Sequence, residues 1–430
     1  MKMFKKILIG ILLFGVVAVL LLQIDDELDP DIATFLEQAK PAESSEAYLY
    51  LLGIEAAEGE DPLTVGQRLF ASMQQAEEDR LGDESFRAEG YPEDKKLALP
   101  QGELFCNRKD VECWKTIFTN RHDIESALQD NGTLLNRYQT FMNMDDYASL
   151  VKPMMTEPHP PFAFLTKANT LVILKAINIG RTAQPKQGIK IIMSNILMLR
   201  QKLESADSLI GKMIYAAIIS DLLDGLSLLN HQEHPILDGS LRLSSISLAE
   251  RDFNIVMSRE FAMNYDLFVS LDKNPNFFAR KTFIESYIPS WSTRTIYKPN
   301  MSINEQYWFY KKVIAHSRLE QVNFTPEVLN KKEFLTSKFS SIRNPVGSIL
   351  NDISNPYYGQ YIARLFDLNA KIAIFNQTVN KETLPSDLGY IQNPYYEKGG
   401  TAFYSDDGKS ICLTGPLDDD KNQRCLRMKL

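Results

Sequence analysis

Two clusters of side chains in this sequence combine residue types and spacing suited to metal chemistry. His231 and His234 stand three apart with Glu233 between them. Positions three apart share a helix face, so the set could offer two nitrogens and a carboxylate to a metal ion. Pro235 follows at once and ends the helix, and histidines near a helix C-terminus also serve by complementing its dipole. The second role is the one assigned here. Met142, Met144, Met154, Met155 and His159 form a soft set of thioethers and imidazole that would suit Cu(I). Prolines at 153, 158, 160 and 161 leave its geometry undefined, and methionine fills gaps in apolar cores without any metal. The sequence therefore assigns no metal and no cofactor.

Two short motifs bear on catalysis. Ser270 and Lys273 form Ser-x-x-Lys and Ser302 with Asn304 forms Ser-x-Asn, which superficially resembles the penicillin-binding enzymes. That resemblance implies a serine nucleophile and a lysine sharing a rigid helix start. Here Asn274, Pro275 and Asn276 break such a helix, and no Lys-Thr-Gly follows Ser302. Glu285, Ser286, Tyr287, Ile288 and Pro289 resemble the start of the Glu-Ser motif of lytic transglycosylases. That likeness implies a helical periplasmic enzyme that cleaves glycan strands with Glu285 as acid/base. The proline is displaced and the Gly-rich second motif is absent, so Glu285 reads first as a surface carboxylate. A cell-wall enzyme built on Glu285 is the alternative function.

The four cysteines fall into two local pairs, Cys106 with Cys113 and Cys412 with Cys425. Neither spacing fits a zinc ribbon or a Cys-x-x-Cys redox site. Four cysteines permit three pairings, and loop closure favours the two local bonds. Disulfides persist in oxidising compartments.

The amino end points to the same compartment. Lys2, Lys5 and Lys6 precede an apolar run from Ile7 to Leu22 that extends through Gln23 to Ile24, followed by Asp25, Asp26, Glu27, Asp29 and Asp31. Those 18 positions span about 27 Å as a helix, near the lower limit for crossing a bilayer. No small-residue cleavage site or lipidation cysteine adjoins the run, so residues 1–24 are expected to stay as a membrane anchor. Lysines before the run and acids after it place the body outside, in the periplasm of a bacterium. The only other candidate span, Met213 to Leu229, carries Asp221 and Asp224 and reads as a buried core helix. Setting aside the three leading lysines leaves 44 basic against 55 acidic residues. A body so acidic, with no long basic run, lacks the footprint of a nucleic-acid binder or of a protein drawn to an anionic membrane surface.

Between anchor and tail the pattern is mainly helical. Asp61 and Pro62 read as an N-cap and first helical turn, and residues 80–103 as a long surface loop that marks the best boundary between two lobes. Apolar residues recur at helical spacing from Ile117 through Phe141, and three helices follow over roughly 162–180, 186–204 and 206–230. Short connections between them imply antiparallel packing. The stretch 235–297 is mixed, with a short helix over Leu248–Met257, and periodicity returns at Asn304–Gln321. The clearest helix lies near 359–380; Arg364 and Asp367 on it form either a surface pair or a pin for the tail.

From 381 to 430 the chain turns to short β-prone pieces, Thr401–Ser405 and Ser410–Leu413, among turns. Pro385, Asn393, Pro394, Tyr395, Gly399, Gly400 and Tyr404 within Leu384–Ser405 resemble the C-terminal pattern of many exported bacterial proteins, loosely that of type II secretion pseudopilins. The amino end lacks the pseudopilin processing site, and no pilus function is carried over. The chain as a whole is similar in style to envelope proteins of Gram-negative bacteria to which no activity is attached. The expectation is a mainly α protein: an irregular antiparallel helical array over 25–380 with a disulfide-stapled, β-containing tail. Its expected function is that of a membrane-tethered periplasmic scaffold or binding module for another envelope protein or peptide.

Overall fold

The computed structural model describes residues 2–80, 90–108, 110–154, 157, 159–181, 184–233, 241–273, 296–324, 338–381, 387–398, 400–419 and 422–430. The first helix, α1 (Lys2–Leu22), leaves Phe4, Ile7, Leu8, Ile9, Ile11, Leu13, Phe14, Val17, Leu20 and Leu21 exposed. Two short helices follow, α2 (Asp31–Glu37) and α3 (Glu46–Leu52), the latter capped by Ser45 Oγ, which accepts from the Tyr48 N–H at 3.0 Å. The next helix, α4 (Pro62–Arg80), starts as its sequence predicts, with Asp61 accepting from the Thr64 N–H at 3.0 Å.

The predicted run from Ile117 to Phe141 is three helices, α5 (Val111–Thr119), α6 (Arg121–Asp130) and α7 (Gly132–Met142). Asn120 and Asn131 sit outside helical geometry at the two joints, and the Asn131 side-chain amide joins its backbone N–H in donating to the Ala127 carbonyl. Arg137 on α7 turns inward and donates to the carbonyls of Ile54, Ala57 and Glu60 at 2.8–3.0 Å, which fixes the turn between α3 and α4.

At the centre lie α8 (Phe162–Arg181), α9 (Pro185–Ser205) and α10 (Leu209–Glu233), close to their predicted bounds and packed in succession. The α8–α9 contact needs glycine: a Cβ at Gly188 would lie 2.4 Å from the Ala176 carbonyl oxygen. Among the described residues α8 is long and apolar enough to cross a membrane, but 67% of its apolar window is buried inside the protein. It is a core helix.

Two helices, α11 (Leu248–Arg251) and α12 (Asn254–Lys273), replace the single short helix expected at Leu248–Met257. Ser247 and Glu250 close a capping box on α11, and Asp252 then accepts from the Asn254 N–H at 2.9 Å to start α12. The chain resumes in α13 (Pro299–Ser317), α14 (Lys338–Arg343), α15 (Pro345–Ser354) and α16 (Gly359–Thr378). Three antiparallel strands end it, β1 (Ala402–Tyr404), β2 (Ser410–Leu413) and β3 (Cys425–Arg427), in the order β1-β2-β3.

The architecture is mainly α with a small antiparallel sheet, and both expected disulfides are present, Cys106–Cys113 and Cys412–Cys425. Cys412 stands directly opposite Cys425 in the β2–β3 register. One apolar core runs from Ile32 to Met428 and takes in Ile411, Leu413, Leu426 and Met428 of the tail, which packs on α10 and α16. The stretch expected as a surface loop also contributes: Tyr91 is buried, its hydroxyl accepts from the Ala57 N–H at 2.9 Å, and the Leu97 N–H donates to the Glu55 carbonyl at 2.9 Å. Residues 81–89 of it lie outside the described residues.

The acidic residues after α1 are built into the body. Asp25 accepts from the backbone N–H groups of Asn300 and Met301 at 3.0 and 3.1 Å, and the Asn304 amide donates to the Glu27 carbonyl at 2.8 Å. Arg343 donates to the Ile24 carbonyl at 3.1 Å and to Asp26 at 3.0 Å.

Candidate functional site

A cleft lined by both apolar and polar side chains forms where the tail crosses the α10–α16 pair. On α10, Met213, Ala216, Ala217 and Ser220 recur at steps of three and four and present a low wall. Gln360, Tyr361, Arg364 and Leu368 of α16 face them, Asp418 and Gln423 of the tail close one end, and the groove holds about 440 Å³. A smaller chamber of about 100 Å³ continues from it past Ser220 and Gln423 to Arg108, Asp221, Asp224, Lys371 and Arg427.

The floor is a chain of ion pairs. Asp224 and Asp221 lie three apart on α10 and so share its tail-facing side. Lys371 Nζ donates to Asp224 at 2.7 Å and to Ser220 Oγ at 3.0 Å, while the Arg427 backbone N–H reaches the second Asp224 oxygen at 2.9 Å. Arg108 reaches one Asp221 oxygen, Oδ2, through Nη2 at 2.7 Å and Nε at 2.8 Å, and also bonds Thr170 on α8. Beneath the α16 wall, Asp367 accepts from Tyr395 at 2.7 Å, from Arg364 at 2.8 Å and from Arg424 at 3.1 Å. Arg424 goes on to the carbonyls of Leu413 and Leu417. Asp367 thus pins the tail from inside, which decides between the two readings its spacing left open.

Burial pushes the carboxyls of Asp224 and Asp367 upward, and their partners oppose it, Lys371 for the first and Tyr395, Arg424 and Arg364 for the second. What a ligand in the groove would meet is a set of oriented donors and acceptors, Ser220, Gln360, Arg364 and Gln423, beside the apolar Met213, Tyr361 and Leu368.

No protein family, no curated relative and no solved structure matches this chain. The groove must be read from its own residues.

The candidates taken from sequence lie elsewhere. Glu285 and His234 fall outside the described residues, so the glycan-cleaving motif and the histidine pair have no geometry here. His231 is largely buried between α10 and the end of α16; its Nδ1 lies 2.8 Å from the Ser227 carbonyl, and burial lowers its pKa. His231 thus lies in the last turn of α10 against one of that helix's own terminal carbonyls. Met142 is fully buried in the core and Met144 packs against it, His159 is exposed, and Met155 falls outside the described residues. Ser270 Oγ donates to the Leu267 carbonyl at 2.8 Å at the end of α12, not at a helix start. Ser302 is buried and donates to the Lys298 carbonyl at 2.9 Å; Asn304 fastens the segment after α1. Ser270 and Ser302 therefore have structural partners in place of a shared reactive centre.

The residues that build the groove were visible in part. Two aspartates three apart in an otherwise apolar α10 were the signal that this helix carries a polar seam. Their partners Arg108, Lys371 and Arg427 are 113, 147 and 203 positions away along the chain, beyond the reach of any local pattern.

Proposed function

We propose that the protein is a membrane-tethered helical binding module. In this reading residues 7–24 cross a bacterial inner membrane once, the body lies in the periplasm, and the α10–α16 groove receives a peptide or a segment of another envelope protein. One observation favours binding over catalysis: Asp221 and Asp224, which line the inner chamber, and Asp367, buried beneath the α16 wall, are each held by a lysine or arginine. A catalytic acid or base must reach its substrate, and a carboxyl clamped by guanidinium or ammonium is committed to its partner. The same clamps make the wall rigid, which suits recognition because little order is lost on binding.

The location draws support from three features. The helix α1 has 21 residues, about 32 Å at 1.5 Å per residue, and an outward apolar surface. Lysines precede it and aspartates follow it. Two disulfides suit an oxidising compartment.

The test is site-specific photocrosslinking in living cells, with the probe at Gln360 or Gln423 in the groove and at exposed Glu112 as control. A discrete adduct from the groove positions alone is expected. No adduct from either position across several growth conditions counts against the module. Recovery of a soluble body beginning near Asp25 would overturn the tether.

A further inference from the structure

A second surface stands at the place where α1 leaves the body. On α15, Gly347, Ser348 and Asn351 face inward and are buried, whereas Ile349 and Ile353, one turn apart, are 58% and 75% exposed. Ile342 on the adjoining α14 is 70% exposed. Isolated exposed apolar residues are ordinary, but Ile349 and Ile353 share one face of α15 and Ile342 is exposed on the helix joined to it. The joint between them is stiff. Asn344 accepts from the Gly347 N–H at 3.2 Å to cap α15, accepts from the Lys298 N–H at 2.9 Å, and donates to Ser302 Oγ at 2.9 Å.

The occupant of this face is indicated by where the chain goes next. Arg343, the neighbour of Ile342, holds the Ile24 carbonyl at 3.1 Å and the Asp26 carboxylate at 3.0 Å. The last residue of α1 is Leu22, and the two residues from there to Ile24 reach at most about 7 Å. The end of the apolar helix is therefore fastened to the edge of the isoleucine face. We propose that the α14–α15 face seats on the outer leaflet of the same bilayer that α1 crosses, with Ile342, Ile349 and Ile353 inserted at the level of the lipid headgroups. This rests on the tether proposed above. The contact is apolar, consistent with a body that is acidic overall. Seating fixes the body's orientation, so the α10–α16 groove is held at a set attitude to the membrane and does not swing on a leash.

The described cysteines are all disulfide-bonded, so one added cysteine supplies a selective label site. The full chain would be reconstituted in phosphatidylcholine vesicles as Ile349→Cys or Ile353→Cys, labelled with an environment-sensitive fluorophore, and quenched by lipids carrying a nitroxide near the headgroup, with an acyl-chain nitroxide lipid used for the α1 site. Phe14→Cys reports α1 and Glu112→Cys an exposed site on α5. At least twofold stronger lipid quenching at 349 and 353 than at 112 is expected. Quenching equal to that at 112, with Phe14→Cys quenched, overturns the docking while leaving the tether intact. If Phe14→Cys is also unquenched, the tether fails and the docking falls with it. Labels shielded from aqueous iodide without lipid quenching would show that protein covers the face, which also overturns the proposal.

Discussion

Asp25 and the backbone of Asn300 are 275 positions apart, yet the carboxylate of the first accepts the N–H of the second at 3.0 Å. The reason lies in the start of α13. Its N-cap position is Lys298, which has no acceptor, and its first residue is Pro299, which has no N–H. The N–H groups of Asn300 and Met301 are the orphans that a local Ser or Asp would normally satisfy, and Asp25 satisfies both from across the chain.

Removing that cap should loosen one place and little else. Asp25→Ala is expected to cost about 1 kcal/mol, the usual size of a lost N-cap. Hydrogen exchange read by mass spectrometry should show faster exchange in peptides covering 24–30 and 299–304, with α8 to α10 unchanged. Unaltered exchange at 299–304 would mean that the helix start does not depend on Asp25.

Asp367 is the corresponding fastener for the tail. Its side chain and that of Arg424 are 1% and 6% exposed, so Asp367→Asn strands a buried guanidinium, a loss on the order of 3–5 kcal/mol. Limited proteolysis should then cut within 414–430 much faster than in the parent, before the helical body is attacked. Replacing both partners, Asp367→Leu with Arg424→Leu, should be milder than Asp367→Asn alone, because no buried guanidinium is stranded and Arg364, 28% exposed, keeps Asp419 at 3.7 Å. Equal protease resistance of the Asn variant and the parent would contradict the pin.

How much of this was legible depended on the distance over which residues act. The helices α8, α9 and α10 follow from apolar spacing and from Gly180, Pro185 and Ser205 at their joints, all local signals. The helix α12 was missed because Arg259, Glu260 and Asn264 interrupt its apolar stripe. The structure occupies two of them inside, with Arg259 on Glu157 at 2.6 Å and Asn264 donating to Tyr310 at 2.7 Å. The breaks at Asn120 and Asn131 were hidden because apolar residues on both sides keep nearly the same phase. In the groove only Asp221 and Asp224 announced themselves, since an acid in an apolar helix is costly unless paired, whereas the pairing itself is set by tertiary contact.

The tail should also outlast its disulfide. A bond closing the 13-residue separation of Cys412 and Cys425 removes about 3 kcal/mol of unfolded-state freedom in the chain-entropy model. The sequence reads the tail as stapled by this bond, but Ile411, Leu413, Leu426 and Met428 are also buried in the common core and Arg424 is clamped. Cys412→Ser with Cys425→Ser should lower stability by about that amount and keep the tail docked, seen as parent-like protease resistance of 400–430 at low temperature. A tail digested immediately in the double variant would show that the crosslink, not the core, holds it.

The pH response should carry the mark of Glu157. Burial pushes this carboxyl from 4.5 to about 7; Arg259, 2.6 Å away, works against the rise and Asp207 adds to it. One cation serves two buried acids, since Asp207 is also pushed up by burial. A carboxyl whose pKa is higher folded than unfolded keeps its proton in the native state while the unfolded chain has already lost it. Across the window from about 4.5 to about 7 the native state therefore binds more protons, and stability falls as pH rises until Glu157 ionises in the folded protein. The contribution is at most about 3 kcal/mol, at 1.36 kcal/mol per pKa unit. Glu157→Gln cannot ionise, so its denaturation midpoint should decline less between pH 5 and pH 8 than that of the parent, with the residual slope due to the other buried acids, Asp207, Asp224 and Asp367. The two proteins would be compared by chemical denaturation at matched ionic strength, and parallel declines would remove Glu157 as the titrating group.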